Sequence, residues 1–158
     1  ILNKNKFDII NLTENVFEML EFTAKKKKIK LTVNKDKGLL TMVIADKEKI
    51  EQVLTNLIDN SIKYGKDNGT TEIVIQSLNE DKIIVRVTDN GVGFKKENYT
   101  RIFERFFRVD RSGSRSAGGS GLGLAIVKHI IDAHDEKIYV ESEFGVGSEF
   151  SFTLEKSK

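Results

Sequence analysis

Apolar residues recur along this chain with two different periods, and the alternation between them predicts its elements. Between Asn11 and Thr23, Val16, Phe17 and Leu20 fall on one side at about 100° per residue, the signature of an amphipathic helix. Ile29, Leu31 and Val33 then alternate as a strand. Lys35 to Gly38 reads as a turn, and Leu40 to Ile44 is expected to return as the hairpin partner of that strand. Asp46 stands where it can cap a long helix reaching about Tyr64, with Gly65 just past its end as C-cap. Lys66 to Thr70 is polar loop. Glu72 to Leu78 and Lys82 to Asp89 flank Asn79-Glu80-Asp81 as a second hairpin. Beyond Asp89 regular periodicity stops, apart from a short helical piece near Tyr99 to Phe107. A third helix leaves a glycine cluster and runs from about Leu122 to His134. A last hairpin pairs Lys137 to Glu143 with Ser148 to Glu155. Hairpins outnumber crossovers, so the expected fold is an α/β (α+β) two-layer sandwich. Its mixed, largely antiparallel sheet has about five strands, covered on one face by three helices. No repeat or linker divides the chain, and residues 1–158 read as a single domain.

Composition narrows the classes without naming one. The chain's 158 residues can bury one real core. With 39% hydrophobic and 32% charged residues it reads as soluble, and no apolar run nears the ~20 residues of a membrane span. A first residue of Ile1 rather than Met suggests an excised fragment. A formal charge of +2 argues against nucleic acid as partner, and the run Lys25 to Lys28 reads as a solvated helix end. The lack of cysteine excludes disulfides and thiolate metal sites and is compatible with a reducing cytoplasm.

Three constellations could carry chemistry. Asn56, Asn60 and Lys63 fall within about 60° of arc on the long helix, with Tyr64 at the edge. Ile50, Leu54, Leu57 and Ile58 take the opposite, sheet-facing side. Two amides and an ammonium in one stripe suit a magnesium–phosphate unit, since an amide oxygen is a hard ligand and lysine a point charge; an ordinary solvated helix face has the same pattern. Asp89 in Asp89-Asn90-Gly91-Val92-Gly93-Phe94 shares strand parity with Ile83, Val85 and Val87, so its carboxylate faces inward and needs a hydrogen-bonding partner. An adenine amine would be one, and Gly91 and Gly93 would let a ligand approach the backbone. A plain Asp-Asn-Gly turn has the same residues. Third, Gly118-Gly119-Ser120-Gly121-Leu122-Gly123-Leu124 opens the third helix, where unpaired amides at the positive end of the dipole can receive phosphate. It fits neither the Walker pattern nor G-x-G-x-x-G.

In this order the three constellations resemble the N, G1 and G2 boxes of the ATP-binding catalytic domain of bacterial sensor histidine kinases. That domain lies in the superfamily of DNA gyrase, Hsp90 and MutL. Ile102-Phe103-Glu104-Arg105-Phe106-Phe107-Arg108-Val109-Asp110 is similar to its F box, and Glu141 to Phe150 to its closing hairpin. The pattern is nearest to the phosphate-sensor type of membrane kinase. The resemblance implies a Bergerat-type fold, ATP and Mg²⁺ as ligands, and roles residue by residue. Asn60 is implied as the magnesium ligand, with Asn56 beside the phosphates. Lys63 and Tyr64 would contact the phosphate and sugar end, and Asp89 the adenine amine, with Gly91 and Gly93 shaping the pocket. Arg108 would approach the terminal phosphate. Gly119, Gly121 and Gly123 would close a lid over Leu122 and Leu124. Ser148, inward by parity with Phe150, would assist Asp89 through water. Ser112 to Ser120 would be the mobile ATP lid.

The implied activity is transfer of the ATP γ-phosphate to a histidine on a separate dimerisation domain, with a response regulator as the parent kinase's partner. Residues 1–10 are expected to be the end of an upstream linker or helical dimerisation region. The domain would be cytoplasmic, under a parent in the inner membrane. Two departures stand out. No H box is present, so the acceptor is expected upstream of Ile1, leaving His129 and His134 in structural positions. The family's His-Gly-Gly after the third helix is here His134-Asp135-Glu136. Two rival readings remain: a gyrase- or Hsp90-like ATPase, and a non-catalytic nucleotide-sensing module. In the ATPases a glutamate in the place of Asn56 activates water, and an amide cannot accept that proton at neutral pH. A degenerate module is expected to lose Asn60, Asp89 or the glycines, and all are intact.

Overall fold

The structure, a computed structural model, describes residues 1–107 and 123–157. The chain runs β1 (Lys4–Asp8), α1 (Ile9–Lys26), β2 (Lys30–Lys35), β3 (Met42–Asp46), α2 (Lys47–Lys63), β4 (Thr70–Ser77), β5 (Lys82–Asp89), α3 (Gly123–Ala133), β6 (Ile138–Glu143) and β7 (Gly147–Lys156). Aspartates turn two strands directly into helices. Asp8 ends β1 and accepts the Ile10 amide at 2.9 Å, and Asp46 ends β3 and accepts the Lys49 amide at 3.4 Å. Each carboxylate satisfies an amide that has no partner inside its helix.

The strands form one sheet in the order β1-β3-β7-β5-β4-β2. β6 pairs with β7 from Gly147 to Phe152, on the same side that β3 occupies at Glu155 and Lys156. Every pairing is antiparallel except β2 with β4. The three helices cover one face, with α2 between α1 and α3. Ile50, Leu54, Leu57 and Ile58 of α2 are fully buried with Ile73, Ile75, Ile83, Val85 and Phe152 from the sheet. Each such side chain contributes about 1.5–3 kcal/mol through area removed from water. This packing holds the polar stripe of α2 on its other side.

The sheet has seven strands rather than about five, and the differences have physical causes. β1 was not expected: Lys4–Asp8 lies in the region read as an upstream linker, yet it pairs with β3 throughout and buries Phe7. Leu40 to Ile44 does not return beside Ile29 to Val33. Instead β2 lies parallel to β4 at one edge, and β3 sits between β1 and β7. Alternation identifies a strand's buried face but not its neighbour. Between β1 and β7, β3 fully buries Val43 and Ala45. The cap of α2 is Tyr64, one residue before Gly65. The helical piece expected at Tyr99 to Phe107 is one short turn at Lys96–Asn98 followed by irregular turns.

Candidate functional site

The stripe on α2 is present and half-buried. The Asn56 amide donates to the carbonyl of Gly123, the first residue of α3, at 3.3 Å. That contact brings the first and third constellations together. Lys63 pairs with Asp59 at 3.1 Å, a surface (i, i+4) contact worth about 0.3–0.5 kcal/mol. So weak a pair leaves the ammonium available to a stronger anion. The Asn60 side chain has no hydrogen bond to another described residue. Among the described residues, no group of three His, Cys, Asp or Glu is arranged to hold a metal ion. A lone amide oxygen fits a hard cation that keeps its waters and takes its other ligands from phosphate.

Asp89 ends β5 between Thr71 of β4 and Ser148 of β7, its partners in register. The carboxylate accepts the Gly91 amide at 2.9 Å and the Ser148 hydroxyl at 3.1 Å. Ser148 therefore reaches Asp89 directly, where an intervening water was expected. Burial pushes the Asp89 carboxyl above its usual range, and the Gly91 amide and the Ser148 hydroxyl pull it back. Two residues of this cluster escaped the sequence reading. Ser61 of α2 bonds the Thr71 hydroxyl at 2.6 Å, and its hydroxyl also acts on Asp89. The signal was available: Ser61 interrupts the apolar stripe of Leu54, Leu57 and Ile58, and Thr71 shares parity with Ile73 and Ile75.

The glycines of the second constellation serve the chain's own backbone. A Cβ at Gly91 would overlap the Tyr64 carbonyl, which also accepts the Val92 amide at 3.1 Å. Gly93 has φ +63°, in the region that favours glycine, and lies against the carbonyls of Glu143 and Gly147. Ser142 binds this junction from β6. Its hydroxyl accepts the Phe94 amide at 2.8 Å and donates to the Gly147 carbonyl at 3.0 Å. Tyr99 hydrogen-bonds both the amide and the carbonyl of Ser142. Phe103, from the F-box-like segment, packs edge-on against Phe150 with ring centroids 6.0 Å apart.

Gly123 begins α3 and is exposed, and Leu124 packs against the core. Arg108, Gly119, Gly121 and Leu122, and the expected lid from Ser112 to Ser120, lie outside the described residues. The end of α2, the start of α3 and the end of β5 thus present two amides, an ammonium and a buried carboxylate around one corner of the fold. His134 is buried elsewhere, accepting the Asp46 amide at 3.0 Å, and His129 is exposed on α3.

Residues 45–158 match the family described as histidine kinase-, DNA gyrase B-, and HSP90-like ATPase. The chain belongs to that family. Among curated relatives, the sensor histidine kinase WalK of Bacillus subtilis (strain 168) is 34% identical over 154 residues, 96% of this chain. The chain spans only 25% of that relative's length. Among solved structures, the nucleotide-free catalytic domain of the histidine kinase ThkA superposes with a TM-score of 0.83 at 30% identity, covering 99% of this chain and 100% of that one. Full-length ShkA, solved in complex with AMPPNP, gives 0.86 at 28% identity, over 99% of this chain and 32% of that one. Three helices on a mixed, mostly antiparallel sheet make this the histidine kinase catalytic-domain fold, as the motif order implied.

Proposed function

We propose that residues 1–158 form one catalytic domain that binds ATP with Mg²⁺ and transfers the γ-phosphoryl group to a histidine on a separate dimerisation domain. The observation that carries this reading is Asn56. It is an uncharged amide whose N–H engages Gly123, beside the start of α3. It cannot take a proton from water at neutral pH, so the site favours a nucleophile that needs no base here over hydrolysis.

In this reading Asp89 accepts the adenine amine and Ser148 orients the carboxylate. Lys63 and Tyr64 meet the phosphate and sugar end. Asn60 would hold Mg²⁺, which when bound neutralises charge on the β- and γ-phosphates. Arg108, Gly119, Gly121, Gly123, Leu122 and Leu124 are assigned to the terminal phosphate and the lid. The protein's contribution is positioning and charge, with an imidazole attacking from outside. For the whole protein we propose a sensor kinase with a response regulator as partner and this domain on the cytoplasmic side of a membrane. Among the described residues, no helix is long and apolar enough to cross one.

Incubation with γ-labelled ATP, Mg²⁺ and a supplied helical domain bearing the acceptor histidine tests the proposal. Acid-labile label is expected on the supplied domain and not on this chain. Label mapping to His129 or His134, or phosphate release without transfer, would overturn it.

A further inference from the structure

Carbonyls at and just beyond the end of α2, where the helix's own amides run out, converge on one ammonium from another element, the Ile62 carbonyl sharing it with the Gly65 amide at 3.2 Å. Lys27 Nζ donates to the carbonyls of Ile62 at 3.0 Å, Lys63 at 2.5 Å and Gly65 at 3.1 Å. All three donors of the side chain are thereby used. Lys27 is the C-cap of α1, and its backbone is tied to the same region, its own carbonyl accepting the Asn68 amide at 2.8 Å. The lysine run Lys25 to Lys28 is thus not uniformly solvated. Lys25 and Lys26 are exposed, whereas Lys27 reaches across to α2.

The geometry assigns Lys27 as a positioning residue for the nucleotide site, an inference that rests on the function proposed above. The turn it holds carries Lys63 and Tyr64. The Tyr64 carbonyl receives the Val92 amide, and Gly91 packs against that carbonyl with its own amide on Asp89. Where the last turn of α2 sits therefore sets where the Gly91–Val92 backbone and the Asp89 carboxylate sit. A lysine suits three convergent carbonyls because its ammonium donors radiate from one atom, whereas a guanidinium presents a flat fork.

Lys27→Met keeps the apolar stem and removes the donors. The test compares it with the parent chain, with Lys27→Arg and with Lys128→Met, whose ammonium only pairs with Asp132 on the exposed face of α3. Mg·ATP affinity is measured by calorimetry well below each melting temperature, and exchange of the Val92 amide is followed without nucleotide. Lys27→Met is expected to bind about tenfold more weakly and to exchange Val92 faster than its loss of global stability explains. Lys27→Arg should fall between it and the parent, and Lys128→Met should match the parent. Binding within about twofold of the parent, or Val92 exchange that only follows melting temperature, would overturn the assignment. Should Lys27→Met not fold, the same two readings on Lys27→Arg decide. If the parent itself binds no nucleotide, the proposed function fails, and Val92 exchange still decides whether Lys27 holds the turn.

Discussion

Burial raises the Asp89 carboxyl, while the Gly91 amide and the Ser148 hydroxyl stabilise its charge. The folded chain therefore holds this proton more tightly than the unfolded one. Its contribution to stability is fully present below the unfolded value of about 3.9 and is lost as pH rises through the raised folded value. Asp89→Asn removes a desolvated charge and keeps an acceptor for Gly91. We expect its ligand-free melting temperature at neutral pH to rise and this part of the pH dependence to vanish. ATP affinity should fall by about 1.5–3 kcal/mol as a charge-assisted hydrogen bond is lost. Undiminished binding in calorimetry would remove the base-recognition role. Asp135 is a second residue set against its surroundings. At φ +57° it takes a left-handed conformation where the resembling family has glycine, and Glu136 N–H closes back on the Ile131 carbonyl at 3.1 Å. The turn after α3 is thus made without that glycine, at a cost of about 1–2 kcal/mol. Glu136 next to it is buried, accepting the Thr153 hydroxyl at 2.6 Å and pairing with Lys82 at 2.5 Å. Asp135→Gly is expected to raise the urea midpoint by the equivalent of about 1 kcal/mol.

The helix that carries the asparagines is tied at both ends to other elements. At its start the Asp46 carboxylate accepts the Asn3 amide at 3.0 Å as well as that of Lys49. The Asn3 amide is the main cause holding this carboxyl below its usual range, against the opposing effect of burial. The stabilisation is therefore present at neutral pH and is lost as pH falls through the depressed folded value. The Asp46 amide donates to His134 Nε2 at 3.0 Å, and His134 Nδ1 lies 2.9 Å from the Ile130 carbonyl, which requires the proton on Nδ1. This contact joins the start of α2 to the end of α3 and gives His134 a structural role. Asp46→Ala should cost about 1–2 kcal/mol in denaturant unfolding at neutral pH, and much less once pH is low enough to protonate the wild-type carboxylate.

At the scale of the molecule, the sheet is built by strands distant in sequence. β1 and the end of β7 flank β3, and Phe7 is 6% exposed within the common core. Residues that looked like the tail of something upstream thus belong to this sheet. Phe7→Ala is expected to cost about 3–5 kcal/mol, read as a shift of the urea midpoint with the slope unchanged. A change below about 1 kcal/mol would show that β1 contributes little to the core.

Residue type and period determined much of this molecule directly. They located α1, α2, α3 and most strands, and they named Asp46 as a cap. They also turned Asp89 inward and set three polar constellations in a recognisable order. Those properties are local, because a side chain's face and a helix's start depend on residues within a few positions. Only the tertiary structure decided which strands neighbour β2 and β3, since alternation carries no partner information. It also made the Ser148 contact with Asp89 direct, brought Ser61 and Thr71 to the same carboxylate, put Tyr64 against Gly91, and led Lys27 out of a basic run to the carbonyls of α2. Each of these contacts joins residues whose separation along the chain says nothing about their distance in space. The need to satisfy buried polar groups and close-pack the core selected them.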